Sequence, residues 1–350
     1  MSQLALRGLS KSFGAVKVFE GLDLAAEEGE IVVIFGGSGT GKTILLRLIA
    51  GVEEPTAGSI ELQGQDMTDV APEHRNVGMA FQNFALFPHM TAEENIAVPL
   101  HARGHSHDAV LKVAKLLKID HVLGHAPREL SNGQKQRTAL ARALASEPRI
   151  LLLDDPLRNV DAKLRFEMRL ELPRLLRQTG ATVLYVTQDY KEAMALADRI
   201  AVIAGGRFVQ TATPEDIYMK PATLGVARLF GDPAINTADT KIETGFVSLS
   251  GAAVSLPAGY EAHVGKDVVF GVRPEAVKLG AKGGLTAEVL AVTPLNERTV
   301  LLLQSKGGWE FLASLPSSAQ APEPGSHVSV AFDAAGTHIF DKITGERLNG

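Results

Sequence analysis

The sequence predicts two domains, a mixed α/β domain on a mostly parallel sheet and a smaller all-β domain behind it. Three observations carry this. Residues 1 to about 232 alternate apolar, β-branched runs with helix-periodic segments, the pattern of a parallel sheet with helices on both faces. After "FGDPAIN" (230–236) the texture changes to short alternating runs separated by turn residues, as in a small barrel or sandwich. The 350 residues, 45% apolar and 21% charged, suit two domains with ordinary cores. The expected domains are 1–232 and 233–350.

The elements follow in order. "EIVVIF" (30–35) reads as a fully buried strand. "KTILLRLIAGV" (42–52) has helical apolar spacing and stops near Gly51. A helical insertion is expected at about 83–148, with "DAVLKVAKLLKID" (108–120) as one of its helices. "RILLLD" (149–154) and "TVLYVT" (182–187) are further strands, and "RIAVIAGGRFVQ" (199–210) a hairpin across Gly205-Gly206. "FEMRLELPRLLRQTG" (166–180) and "YKEAMALAD" (190–198) read as helices. Beyond 236, "GFVSLSG", "DVVFGVRPEAVKL", "LTAEVLAV", "RTVLLLQS", "HVSVAFD" and "THIFD" read as strands, with "SSAQAPEPGS" (317–326) a Pro/Ser loop.

Bulk properties exclude several classes. A net charge of -5 and a pI near 6.1 argue against binding nucleic acid through a broad basic face. There is no cysteine, so disulfide and thiolate chemistry are absent, and a reducing compartment is expected. No apolar run approaches the ~20 residues that span a bilayer. The N-terminus has no signal-peptide pattern, because Arg7 and Lys11 interrupt its apolar residues. The expectation is a cytoplasmic protein that can dock peripherally on a partner in the inner membrane.

"GGSGTGKT" (36–43) fits G-x-x-x-x-G-K-[ST], follows a strand and opens a helix. Gly36, Gly37, Gly39 and Gly41, with Ser38 and Thr40, form a loop whose backbone N–H groups can curl round phosphate oxygens. Lys42 can reach the β and γ phosphates, and Thr43 can place a hydroxyl on Mg²⁺. The strand "RILLLD" ends on two adjacent carboxylates. Asp154 fits the place that holds Mg²⁺ through water, and Asp155 that of the group polarising the attacking water.

"LSNGQKQRTALARALASEP" (130–148) lies between these two motifs. The order of phosphate loop, this stretch and acidic strand resembles the ATP-binding subunit of ABC transporters. The resemblance implies a P-loop NTPase cassette with a helical insertion, followed by a small all-β OB-like (TOBE) domain. It makes Ser131, Asn132, Gly133 and Gln134 the signature that meets nucleotide on an opposite protomer, and Asp161 the end of the D-loop. It also makes Phe13 the adenine-stacking aromatic, Gln82 a Q-loop residue near the metal, and Gln188 the switch residue. "LFGDPAIN" and "GVRPEAVKL" resemble the C-terminal domain of carbohydrate importers of the maltose type. The implied cofactors are ATP and Mg²⁺. The implied partners are a second ATPase subunit (a homodimer or a paralogous heterodimer), two membrane permease subunits near Phe84, Leu86 and Phe87, and indirectly an extracellular solute-binding protein. The implied function is the motor of an importer for a sugar, polyol or related small solute, with no nucleic acid involved.

Four positions depart from the family pattern. Asp155 stands for Glu, Gln188 for His, Asn132 for Gly and Arg158 for Ser. Asp is one methylene shorter than Glu, and Gln carries no charge. They leave open whether hydrolysis is ordinary, or slow and partner-dependent. Two alternatives stand beside the motor: a regulatory ATP-binding subunit with little turnover, and a soluble ATPase acting on nucleic acid or ribosomes. The acidic charge and single cassette weigh against the latter. His101, His105 and His107 are read as part of a solvated loop.

Overall fold

The computed structural model describes residues 2–81, 83–103, 107–158, 160–256, 259–280 and 284–348. The chain divides into two compact units, Met1–Pro214 and Glu215–Gly350.

The first unit holds two sheets. One is antiparallel, in the order β2-β1-β4-β5, with β1 (Ser2–Phe13), β2 (Val16–Glu27), β4 (Ala57–Leu62) and β5 (Gln65–Asp66). This sheet was not expected from the sequence. Register shifts between Leu6 and Leu9 and between Leu9 and Lys11 break the period-two pattern that marks a strand. The second sheet contains β3 (Ile31–Phe35), β6 (Val77–Ala80), β7 (Ile150–Asp154), β8 (Thr182–Thr187), β9 (Arg199–Ala204) and β10 (Arg207–Ala212), in the order β10-β9-β3-β8-β7-β6. All its pairings are parallel except the β9–β10 hairpin. The expected parallel sheet and hairpin are therefore present.

Period two assigns the buried residues of this sheet to its faces. Val32, Ile34, Leu152, Leu184 and Val186 join one core with the first helix and the antiparallel sheet. That helix, α1 (Lys42–Ala50), buries Leu45, Leu46, Leu48 and Ile49 there. The alternate residues face the other way, and Tyr185 on that face bonds a helix described below. Arg75, 3% exposed, ties the end of α1 down. Its Nη1 donates to Leu48 O and Ile49 O at 2.9 and 3.0 Å, its Nε to Val70 O at 2.7 Å and its Nη2 to Thr68 O at 2.9 Å. At the helix end it adds to the bond that Gly51 N–H makes to Leu48 O.

The helical insertion contains α2 (Ala92–Ala97), α3 (His107–Leu116) and α4 (Asn132–Ala145). Thr91 and Ser131 each form a capping box at the start of α2 and α4. Two more helices follow the strands: α5 (Ala162–Thr179), capped by the Asp161 side chain, and α6 (Tyr190–Leu196), capped by Asp189. His107 pairs with Glu93 at 2.6 Å, and His105 lies outside the described residues.

The second unit includes the short helices α7 (Pro214–Met219) and α8 (Leu224–Leu229) and two antiparallel sheets. One carries β11 (Asn236–Glu243), β12 (Phe246–Leu249), β13 (Ala252–Ser255), β14 (Asp267–Val272), β20 (Thr337–Asp341) and β21 (Arg347–Leu348). The other carries β15 (Val277–Leu279), β16 (Leu285–Pro294), β17 (Arg298–Ser305), β18 (Glu310–Pro316) and β19 (His327–Phe332). Every strand expected beyond 236 is among them. Phe270, Leu301, Leu303 and Phe311 fill the core between them. The expected boundary at 232/233 falls inside this unit. The 1%-exposed Arg273 explains why: its guanidinium donates to Tyr218 O, Ala227 O and Phe230 O, fastening α7 and α8 to the β unit.

Candidate functional site

Strand β3 is buried along its whole length and ends at a loop that is tight at Gly36 and Gly41. A Cβ on Gly36 would lie 2.7 Å from Ile203 O. Gly41 has φ +88°, and a Cβ there would lie 2.6 Å from Phe19 Cζ. These contacts hold the loop tight, and α1 begins immediately after it with its first N–H groups free to meet an anion. Lys42 Nζ donates to Gly36 O and Gly37 O, both at 2.7 Å, so the lysine folds back on its own loop. Burial lowers its pKa, while Asp155 and Asp154 pull it up.

The acidic strand enters the same place. Asp154 closes β7 and is 2% exposed. Its Oδ1 accepts from Thr43 Oγ1 at 3.0 Å. Burial raises this carboxyl above its ordinary range, against the Thr43 hydrogen bond and the charges of Arg47, Lys42 and Arg158. Asp155 adopts the left-handed region, φ 45°, and its N–H donates to Val186 O at 2.9 Å. Burial pushes the Asp155 carboxyl up to about 6, with Arg158 acting against it and Asp154 with it. A left-handed non-glycine residue costs energy, and such residues concentrate at functional sites.

Ser38, Gly39, Thr40, Gly41, Lys42 and Thr43 line a cleft of 330 Å³ together with Asp154, Asp155 and Gln188. Those sequence-derived site residues therefore converge. Val18, Ile44, Val186 and Arg158 complete the lining. No sequence signal points to Val18, which comes from β2 of the unexpected sheet, and Arg158 stands out in the sequence only as a departure from the family pattern. The other candidates lie elsewhere. Phe13 does not line the cleft; it is 46% exposed at the end of β1, with Lys11 Nζ 4.6 Å from its ring centroid. Ser131 Oγ accepts from Gln134 N at 3.2 Å and Gln134 Oε1 from Ser131 N at 2.8 Å, with Asn132 and Gly133 in the turn between them. Asp161 Oδ1 accepts from Leu164 N at 3.0 Å. These five residues do not line the cleft. Gln82 lies outside the described residues.

Behind Gln188 sits a carboxylate that sequence reasoning passed over. Glu192, in the first turn of α6, is 1% exposed. Its Oε2 accepts from Tyr185 OH at 2.8 Å and Thr187 Oγ1 at 3.0 Å, tying β8 to α6 on either side of the Gln188 turn.

A strand, a glycine loop and a helix beside a second strand ending on paired carboxylates define a P-loop nucleotide-binding protein. A family model described as ABC transporter matches residues 19–158, a MalK OB fold domain model residues 231–277, and a TOBE domain model residues 270–340. The sn-glycerol-3-phosphate import ATP-binding protein UgpC of Salmonella typhi is 40% identical over 99% of this chain and 100% of its own. The trehalose/maltose import ATP-binding protein MalK of Thermococcus litoralis is 39% identical, again over 99% and 100%. A dimeric ATP-binding cassette, MJ0796, in a post-hydrolysis state bound to ADP and Pi, covers 60% of this chain and 98% of itself, at 30% identity and a TM-score of 0.56. The chain belongs to the ABC transporter family, as an ATP-binding protein with a C-terminal OB/TOBE domain. No helix among the described residues is long and apolar enough to cross a membrane.

Proposed function

We propose that this chain is the ATP-hydrolysing motor of an importer for a sugar, polyol or related small solute, such as the glycerol phosphate and trehalose/maltose named for its relatives. The observation that carries this is the 3.0 Å hydrogen bond from Thr43 to Asp154, which joins the phosphate loop to the acidic strand at the cleft. Thr43 and Asp154 offer hydroxyl and carboxylate oxygens, the hard donors that Mg²⁺ takes, so they are the residues that would hold it. The ion would neutralise phosphate charge during hydrolysis.

The chain's own groups divide the remaining work. Loop N–H groups and Lys42 grip the phosphates; for this, Lys42 must exchange two loop carbonyls for phosphate oxygens. Asp155 orients the attacking water and accepts its proton. Gln188 donates a hydrogen bond at the terminal phosphate. Two chains pair head to tail, with Ser131, Asn132, Gly133 and Gln134 meeting the nucleotide of the partner. Adenine stacks on Phe13, and Gln82 joins the metal's surroundings. The assembly rests peripherally on the cytoplasmic face of the membrane. A permease subunit docks near Phe84, Leu86 and Phe87, of which Phe87 lines a groove of 450 Å³ with Phe81, Val98 and Pro99. Arg142 supports that groove by donating to Ala85 O at 2.6 Å and Phe84 O at 3.1 Å.

The test is steady-state hydrolysis by the chain purified with its permease. Asp155→Ala should lower turnover at least ~100-fold, the usual contribution of a general base, while nucleotide binding persists. Unchanged turnover in that variant would refute the assignment of Asp155.

A further inference from the structure

Arg158 follows the acidic strand by four positions and lines the nucleotide cleft. Its backbone is fixed. Arg158 N–H donates to Asp155 O at 3.2 Å, closing the turn. From α5, the Arg165 guanidinium donates to Leu157 O at 3.2 Å and to Arg158 O and Val160 O, both at 3.0 Å. Three carbonyls around residue 158 are thus held by one side chain.

The head of Arg158 is held far less firmly. Its Nη1 lies 3.8 Å from Asp155 Oδ2, too long for a charge-assisted hydrogen bond, and the side chain is 47% exposed. Asp155 is its opposite, with a side chain only 11% exposed. The guanidinium is a loose counter-ion on a rigid stem.

Charge decides what it does. Of the residues lining the cleft, Lys42 and Arg158 are the cations and Asp154 and Asp155 the anions, so the lining is neutral in sum. A triphosphate brings several negative charges. The other polar side chains lining the cleft, Ser38, Thr40, Thr43 and Gln188, donate hydrogen bonds but carry no charge. A terminal phosphate outcompetes this carboxylate for the guanidinium, because it offers more charge and a third oxygen, while the 3.8 Å approach to Asp155 leaves the fork unengaged. Moving to the phosphate also uncovers Asp155.

We infer that Arg158 is a ligand of the terminal phosphate of ATP: its guanidinium, 3.8 Å from Asp155, transfers to the γ-phosphate on loading and so makes this chain distinguish ATP from ADP. This rests on the nucleotide-binding reading of the cleft proposed above.

The test is equilibrium titration of the full chain with ADP and with a non-hydrolysable ATP analogue, both with Mg²⁺, for wild type, Arg158→Ser and Arg158→Lys. Arg158→Ser should lose affinity for the analogue about tenfold or more, the worth of one charge-assisted contact, and keep its ADP affinity within about twofold. Arg158→Lys, with the charge but not the fork, should fall between. Unchanged ADP affinity also reports that the cleft is folded. Equal losses for the two nucleotides, or no loss for either, would overturn the inference. A wild-type chain that binds neither nucleotide would instead overturn the reading of the cleft itself.

Discussion

Replacing Glu192 by Gln should make the stability of the first unit less dependent on pH, with a sign fixed by the structure. Burial pushes the Glu192 carboxyl from 4.5 up to about 7; the charges of Asp189 and Asp155 add to this, and the Tyr185 and Thr187 hydrogen bonds oppose it. The folded chain therefore keeps a proton that the unfolded chain has released. The stability this contributes is complete below about pH 4.5 and is lost as pH rises through about 7. At ~1.4 kcal/mol per pKa unit, the rise from 4.5 to about 7 is worth up to ~3 kcal/mol. Gln keeps an oxygen to accept from both hydroxyls, and it does not titrate. Relative to wild type, Glu192→Gln should gain up to ~3 kcal/mol between about pH 4.5 and pH 8. Urea unfolding at several pH values measures this. The readout should be helical circular dichroism, because the single tryptophan, Trp309, lies in the second unit. A stability difference that stays flat with pH would refute the reasoning.

Two further outcomes are expected. Gly41→Ala puts a Cβ 2.6 Å from Phe19 Cζ at φ +88°, so it should cost ~1–3 kcal/mol in urea unfolding and weaken nucleotide binding; an unaltered unfolding midpoint would contradict the packing described for the loop. Gln188→His adds a group that can carry positive charge and move a proton in the same cleft, and should raise steady-state hydrolysis about tenfold or more. An unchanged rate would mean that Asp155 and Gln188 already work together at full speed.

The sequence by itself determined most of the lining of the candidate cleft, because its parts are local. "GGSGTGKT" specifies a tight turn in which Gly36 and Gly41 leave no space for a Cβ, and "RILLLD" specifies a buried strand that ends on a carboxylate. The parallel sheet, the hairpin at Gly205-Gly206 and the strands beyond 236 were legible for the same reason: their periods and turn residues are read within a few positions. Three features were decided by long-range contacts. The antiparallel sheet was hidden because the shifts around Leu9 break its alternation, and pairing with β2 and β4 holds the strand together despite them. The division at 214/215 reflects contacts far apart in sequence, among them Arg273 on the carbonyls of Tyr218, Ala227 and Phe230 and the Thr223–Glu346 bridge, which no local pattern announces. Arg158 and Glu192 look like ordinary surface charges in a string of letters. Folding sets one loosely against Asp155 in the cleft and seals the other under Tyr185 and Thr187, because the placing of a charge depends on what tertiary packing brings to it.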